Sequence, residues 1–131
     1  MIVLDASAAV EWLLRTPPGL KVHRRVGITP LHAPHIFDVE VLHAVRRAVQ
    51  LKRISLSEGT QAIEDLSQLR LLRHSHALLL KRMWDLRSSI SAYDASYVAL
   101  SEALPATLLT CDSKLAASHG HSAAIELISL N

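Results

Sequence analysis

Cysteine is almost absent from this sequence: Cys111 is the only one in 131 residues. A single thiol cannot form an intramolecular disulfide, and no group of cysteine and histidine residues has the spacing of a zinc site. The composition therefore excludes a disulfide-stapled fold and is compatible with the reducing cytoplasm, which is the location we expect. Any bound metal ion must be held by oxygen ligands.

Long apolar runs are also missing. The longest stretch without Asp, Glu, Lys or Arg is 26–37, which is twelve residues long and contains two prolines, whereas a membrane span needs about 20 apolar residues. The apolar N-terminal segment has no basic region before it and contains Asp5 and Glu11, which argues against a secretory signal. We expect a soluble protein that makes no contact with a membrane.

Aromatic residues and net charge are low as well: the chain has two Trp, two Tyr and one Phe, and its formal charge is +2. With so few aromatics, Trp12 and Trp84 are expected to be core or interface anchors rather than platforms for nucleic-acid bases. Hydrophobic residues make up 50% of the chain. This content leaves two interpretations open, a well-filled core or an apolar surface reserved for another chain.

What is present is a regular alternation of short apolar runs and amphipathic segments, without a repeat or a dividing linker, so we expect a single domain over residues 1–131. The predicted strands are 2–4, 71–72, 107–110 and 125–130, and a proline-flanked piece of unassigned structure lies around 31–33. The predicted helices are 8–14, a short helix after a break at 16–19, 36–53, 57–69, 76–86, 91–104 and 113–118. This alternation predicts an α/β fold, a three-layer α/β/α sandwich around a mostly parallel sheet.

Two acidic residues follow predicted strands. Asp5 comes directly after the strand 2–4, and Asp112 comes two residues after the strand 107–110. The carboxyl ends of parallel strands meet at one edge of the sheet, where open α/β sheets bind their ligands. Both carboxylates are therefore expected in one site.

Two further acids lie on apolar helix faces. Glu40 is three residues after Phe37, and Asp94 is three residues before Tyr97, so each shares a helix face with a large apolar ring. A carboxylate in such a position needs a partner. The other acids singled out are expected to be exposed or to cap helices; they are Asp38, Glu58, Glu64, Asp65, Asp85 and Glu102.

Each of the four acids has an ordinary explanation when it is taken alone. Asp5 and Asp112 are suited to cap helices, and Glu40 and Asp94 to pair with a buried Arg or His. The four together favour a divalent cation, because Mg²⁺ or Mn²⁺ prefers carboxylate oxygens and relieves their mutual repulsion. Such an ion can activate water for in-line attack on a phosphodiester.

Two hydroxyls stand beside these acids in the sequence. Ser7 and Thr110 are candidates to hold a carboxylate or a water in place near Asp5 and Asp112. The alternative is that Ser7 is an N-cap and Thr110 a plain strand-end hydroxyl.

Four segments carry a recognisable pattern. They are Asp5-Ala-Ser7 after an apolar strand, Pro34 with Phe37, Glu40 and His43-Ala44, the run SAYDASYVALSE over 91–102, and the run LTCDSKLA over 109–116. Together they resemble a PIN domain, and in particular the VapC toxins of bacterial type II toxin-antitoxin pairs. The likeness spans essentially the whole chain, and the Tyr-Asp-Ala and Thr-x-Asp segments are its most specific parts.

This resemblance implies a PIN-like fold, an endoribonuclease that depends on Mg²⁺ or Mn²⁺, a homodimer, and a cognate antitoxin that wraps and neutralises the toxin. Carried over residue by residue, the catalytic and metal-ligating quartet of the family falls on Asp5, Glu40, Asp94 and Asp112, and its metal-side hydroxyl on Thr110. Some members carry another acidic or amide residue after the fourth acid, where this chain has Ser113. We therefore expect one firmly bound ion rather than two.

Basic pairs supply candidate contacts to an RNA backbone: Arg46 with Arg47, and Lys81 with Arg82. Solvated helix faces explain such pairs equally well. The eight histidines share no spacing with the acids that would define an acid/base pair, so helix ends and the surface are their expected places.

Two other function classes remain open. A receiver-like phosphoacceptor domain has a similar length and an acidic rim, but it would carry paired acids after the first strand, where alanine follows Asp5. In a non-catalytic partner-binding module, the quartet would bind an arginine of another protein. Turnover of RNA distinguishes an enzyme from such a module.

Overall fold

Five short strands form one sheet in which all neighbours run parallel. The computed structural model describes residues 1–131. The strands are β1 (Ile2–Leu4), β2 (Leu31–Pro34), β3 (Leu72–His74), β4 (Thr107–Thr110) and β5 (Ile125–Leu127). Their order is β3-β2-β1-β4-β5, and Val3 of the central strand pairs with His32 on one side and Leu108 on the other. The prediction of a mostly parallel sheet is confirmed, and all five carboxyl ends lie at one edge.

Seven α-helices pack around this sheet. They are α1 (Ala6–Leu13), α2 (Pro17–Val26), α3 (Ile36–Gln50), α4 (Leu56–Gln68), α5 (Leu80–Asp85), α6 (Ala92–Ala103) and α7 (Ser113–Ala116). Helix α1 packs against α2, α3 and α4, whereas α5 packs against α6, which lies along β1, β2 and β4. The result is the predicted three-layer α/β/α sandwich. None of the helices is long and apolar enough to cross a membrane.

The core follows from the apolar central strands. Ile2, Val3 and Leu4 in β1 and Leu108 and Leu109 in β4 are at most 1% exposed. Strands of a parallel sheet that are covered on both faces are apolar throughout rather than alternating. A polar residue directly after such a strand is therefore delivered to the rim of the core.

Several element boundaries differ from those that the sequence predicts. Helix α1 begins at Ala6 rather than Ala8, because Asp5 occupies the N-cap position. The break at 16–19 also starts α2: Thr16 Oγ1 accepts the N–H of Gly19 (3.1 Å), and prolines fill the first helical positions, where their missing N–H is tolerated. Helix α3 ends at Gln50 rather than Arg53, two residues before Lys52 adopts a left-handed φ of 57°.

The remaining differences lie at the edges of the fold. The predicted helix 76–86 is a 3₁₀ turn over Ala77–Leu79 followed by α5. The third strand covers Leu72–His74 instead of 71–72, and both α7 and β5 are shorter than predicted. These are short terminal or edge elements, for which apolar periodicity fixes the bounds poorly.

Candidate active site

Asp5 lies at the centre of the carboxyl edge, between β1 and α1. Its N–H donates to the carbonyl of Leu109 (2.9 Å), which extends the β1–β4 ladder by one residue. The residue is 6% exposed, and Oδ2 accepts hydrogen bonds from the hydroxyls of Thr110 (2.8 Å) and Ser7 (2.5 Å). Asp5 occupies the N-cap position of α1, but its side chain makes no capping bond. Capping therefore does not explain why an acid is buried here.

Both predicted hydroxyls belong to the network around Asp5. Ser7 Oγ and Thr110 Oγ1 are 3.1 Å apart. Ser7 Oγ accepts the N–H of Cys111 (3.0 Å), and Thr110 Oγ1 accepts the N–H of Asp112 (2.9 Å). These bonds tie the first turn of α1 to the end of β4 and fix the carboxylate between them. Ser7 is as fully engaged as Thr110, and it is not an N-cap.

Glu40 is held by a tyrosine that the sequence analysis did not single out for the site. The hydroxyl of Tyr97 donates to Glu40 Oε1 (2.7 Å), and the tyrosine is completely buried. Burial, followed by the neighbouring Glu40 carboxylate, raises the pKa of Tyr97 above its ordinary value, so the hydroxyl remains a donor. Its place three residues after Asp94, on the apolar face of α6, is the sequence signal that identifies it.

Asp94 and Asp112 lie at the N-terminal ends of two helices. Asp94 is in the first turn of α6, and its N–H donates to Ser91 Oγ (3.1 Å). Asp112 caps α7, because its Oδ1 accepts the N–H groups of Lys114 (2.9 Å) and Leu115 (3.4 Å). Both bonds use Oδ1, so Oδ2 remains free for a ligand. Capping thus applies to Asp112 without accounting for its second oxygen.

The pKa values of Asp5, Glu40 and Asp94 are raised, partly by the charges of neighbouring members of the quartet. Burial is the largest cause that raises the pKa of Asp5, Glu40 and Asp94. The charge of Asp5 further raises the pKa of both Glu40 and Asp94, and the charge of Asp112 adds to the shift of Asp94, whose pKa reaches about 6. Hydrogen bonds from Ser7 and Thr110 oppose the shift of Asp5, and Tyr97 opposes that of Glu40. The structure therefore gathers the predicted quartet into one electrostatic unit.

No basic side chain neutralises this unit. The ion pairs of the chain all use other acids; they are Arg15–Asp65, Arg25–Glu126, Arg73–Asp38 and Arg82–Glu102. The alternative in which Glu40 and Asp94 pair with a buried Arg or His is therefore wrong. Partly buried carboxylates without a neighbouring protein cation repel one another. A divalent cation relieves this repulsion when it binds.

The donor chemistry fits Mg²⁺ or Mn²⁺, although the side chains do not form a closed shell. All candidate ligands are carboxylate oxygens, the type that these ions prefer. No three acidic, histidine or cysteine side chains stand close enough together to make a ready-formed cluster. Mg²⁺ needs no such cluster, because it usually keeps several waters and is bound through one or two carboxylates together with substrate phosphates.

The predicted basic contacts differ in their availability. Arg46 and Arg47 on α3 and Lys81 on α5 are exposed and take part in no ion pair. Arg82 donates from Nε and Nη2 to the two carboxylate oxygens of Glu102 (2.8 and 3.0 Å), so it is committed within the protein. Glu102 is correspondingly not the exposed acid that the sequence predicts, since its side chain is only 14% exposed.

Three other residues discussed from the sequence are also placed by the structure. Cys111 is buried, and burial raises the pKa of its thiol to about 11, which suits packing rather than nucleophilic chemistry. Trp12 packs against the core, as expected. Trp84 is 67% exposed and stacks only with Arg87, so it is not a core residue.

The largest surface hollow is not at the acids. It has a volume of about 410 Å³, lies between α1, α2 and the end of α4, and is lined by Trp12, Leu20, His23 and Leu69 among others. A second hollow of about 350 Å³ adjoins the quartet and includes Glu40 in its wall. The clustered acidic charge, and not the size of a hollow, therefore marks the candidate site.

Comparison with known proteins identifies the family of this chain. The PIN domain family model matches residues 2–118. The chain is 48% identical over 128 residues to ribonuclease VapC12 of Mycobacterium tuberculosis, which covers 98% of this chain and 99% of the relative. It is 39% identical over 115 residues to ribonuclease VapC9 of the same organism, which covers 88% of each chain.

Solved structures show the same fold at lower sequence identity. The crystal structure of VapC20 of Mycobacterium tuberculosis, described as a sarcin-ricin loop cleaving toxin, superposes with a TM-score of 0.67 at 14% identity, covering 93% of this chain and 97% of the other. The structure of VapBC2 from Rickettsia felis, bound to a DNA fragment from the promoter, gives 0.68 at 18% identity, with 96% and 98% covered. The match over residues 2–118 and the full-length relatives establish that this chain belongs to the PIN domain family and, within it, to the VapC-type ribonucleases.

Proposed function

We propose that this protein is a Mg²⁺- or Mn²⁺-dependent endoribonuclease, the toxin of a toxin-antitoxin pair, and that Asp5, Glu40, Asp94 and Asp112 form its active site within a single domain over residues 1–131. One observation carries the proposal: the charges of these four acids act on one another near the carboxyl edge of the sheet, and no ion pair within the chain offsets them. The VapC-type relatives support the ribonuclease activity.

The roles follow from which oxygens the protein leaves free. Asp5, Asp94 and Asp112 hold the ion, directly or through water, and Ser7 and Thr110 keep the Asp5 carboxylate in place. A divalent cation held there supplies activation of water and offsets charge on the phosphodiester. Tyr97 occupies Glu40 Oε1 and leaves Oε2 to ligate or to accept a hydrogen bond from the attacking water. With Ser113 after Asp112, we propose one firmly bound ion.

We propose a homodimer and a cognate antitoxin as protein partners. The toxin-antitoxin assembly among the solved structures, VapBC2, supports an antitoxin by analogy. Large apolar side chains remain exposed on the surface, among them Ile28, Leu56 and Leu78, each at least 72% exposed. These side chains are available for contacts with other chains.

The test is RNA cleavage by purified protein that has been freed of partner, in Mg²⁺ and again with a chelator. We expect cleavage only with the metal, and a loss of at least about a hundredfold in Asp94→Asn, since even a residue behind a ligand contributes 10–100-fold. The matched control is Asp85→Asn, an exposed acid on α5, which should cleave like wild type. Cleavage that survives chelation or Asp94→Asn contradicts the proposal. If the protein binds an arginine of another protein but turns over no RNA, it is the non-catalytic partner-binding module.

A further inference from the structure

Tyr93 is the exposed aromatic residue that immediately precedes Asp94. It lies in the first turn of α6 and is 61% exposed, although a tyrosine of this size is usually packed when it has no partner. Tyr93 lines two hollows. One is also lined by Ile36, Val39, Glu40 and His43, and the other by Ile36, His76, Met83, Ala92 and Ser96.

The first of these hollows adjoins the acidic site at Glu40. Glu40 belongs both to its wall and to the quartet, and Asp94 follows Tyr93 in the chain. A phosphodiester bound at the carboxylates would bring an adjacent nucleotide toward this hollow. The walls are apolar on two sides, at Ile36 and at Val39, which is itself 61% exposed, and His43 supplies ring nitrogens at the rim.

From this juxtaposition, and on the basis of the proposed ribonuclease function, we infer that Tyr93 is the stacking platform for one unpaired nucleobase next to the scissile phosphodiester, with Val39 and Ile36 enclosing the base and His43 at its edge. An aromatic ring beside apolar walls binds the flat face of a base, and every base has such a face. A base within a double helix has both faces covered by its neighbours, so this platform takes single-stranded or splayed RNA. Tyr93 is thus a substrate-binding residue that selects unpaired sites.

A second observation concerns the smaller of the two hollows. His76 lines the smaller hollow of about 150 Å³, and its Nδ1 is buried without a hydrogen-bond partner. A buried nitrogen without a partner costs free energy, so such atoms in proteins are generally satisfied by a ligand or a water. The smaller hollow beside Tyr93 therefore offers an unpartnered polar atom to a ligand or a water.

The experiment compares Tyr93→Ala with Tyr93→Phe, which retains the ring, and with Trp84→Ala, a matched change at an exposed aromatic outside both hollows. The substrate is an unstructured oligoribonucleotide that the wild type cuts. We expect Tyr93→Ala to raise KM about tenfold or more with little change in kcat, because stacking on the neighbouring base binds ground state and transition state alike. Tyr93→Phe and Trp84→Ala should behave like wild type.

An abasic ribonucleotide on either side of the cut supplies the complementary change. With the wild-type protein, one of the two abasic substrates should show the same loss of kcat/KM that Tyr93→Ala shows with the intact RNA. Combining that substrate with Tyr93→Ala should cause no further loss of kcat/KM. The inference is wrong if the losses caused by the abasic substrate and by Tyr93→Ala are independent and add up. It is also wrong if Tyr93→Phe loses as much activity as Tyr93→Ala. If Tyr93→Ala instead changes the oligomeric state in sedimentation analysis, the ring is an interface residue and the inference is wrong.

Binding without turnover separates this inference from the proposed function. Fluorescence anisotropy with a labelled single-stranded oligoadenylate in Ca²⁺, with the RNA checked for integrity, should show about tenfold weaker binding for Tyr93→Ala and unchanged binding for Tyr93→Phe. Equal binding by both variants overturns the inference whether or not RNA is cut. A wild type that binds this RNA through Tyr93 but cleaves no RNA overturns only the proposed function.

Discussion

The charge of Asp94 destabilises the folded protein unless a bound cation offsets it. Burial, Asp5 and Asp112 raise its pKa from 3.8 to about 6, so above pH 6 the folded protein holds a charge that the unfolded chain holds more easily. The stability that a neutral Asp94 contributes is present below pH 3.8 and is lost as the pH rises through about 6. The residue therefore destabilises the metal-free fold at neutral pH.

The first prediction concerns this cost. Asp94→Asn keeps the shape and removes the charge, so in the presence of a chelator it should raise the free energy of unfolding at pH 8 by about 1–2 kcal/mol, after allowance for solvent around a half-buried carboxylate. The gain should be smaller at pH 5, where Asp94 is largely protonated in the folded protein. Urea denaturation at both pH values measures the difference. A gain that is independent of pH would show that packing, and not charge, is responsible.

The second prediction concerns Tyr97, which acts through Glu40 as a positioning residue. Its hydroxyl lowers the pKa of Glu40, so Tyr97→Phe should raise that pKa and move the acid limb of the kcat/KM profile to higher pH. We expect activity at neutral pH to fall about 10–100-fold, as for other residues behind a ligand. Tyr93→Phe is the matched control, because it removes an exposed hydroxyl from the same helix. An unshifted profile in Tyr97→Phe would contradict the role.

At the scale of elements, helix α3 places a basic side chain in line with the acidic site. Glu40, His43 and Arg47 are separated by three and four residues, so they share one face, and Arg47 lies two turns or about 10 Å from Glu40. Around the helix axis, the side chain of Arg46 points about 100° away from that of Arg47. The pair that looks equivalent in the sequence is therefore not equivalent toward RNA.

The third prediction uses this difference. Arg47→Gln should weaken cleavage at low salt and reduce the slope of log kcat/KM against log salt by about one, because one phosphate contact is lost. Arg46→Gln should have a smaller effect on both quantities. Salt titrations of the two variants and the wild type provide the measurement. Equal slopes in all three proteins would remove Arg47 from the RNA contacts.

At the scale of the whole molecule, the parts of the fold that the sequence predicts well are those with a strong apolar signal. The apolar strands β1 and β4 and the acids that follow them could be identified because burial dictates residue type there. The edge strand β3 was misplaced because Leu72 and Arg73 are exposed, so that no pattern marks its bounds. The bond from Tyr97 to Glu40 joins residues 57 positions apart, which only the assembled fold brings together.

The fourth prediction links the site to the stability of the whole chain. A cation that binds only the folded state stabilises it by about 2.7 kcal/mol at a concentration of 100 times its Kd. Because protons compete for Asp94, whose pKa is about 6, the rise in Tm on addition of Mg²⁺ should amount to several degrees at pH 8 and shrink toward pH 5. Calorimetry with Mg²⁺ or chelator at both pH values measures it. Asp94→Asn, already stabilised without metal, should show little further rise at either pH; a full Mg²⁺ response in that variant would place the ion elsewhere on the protein.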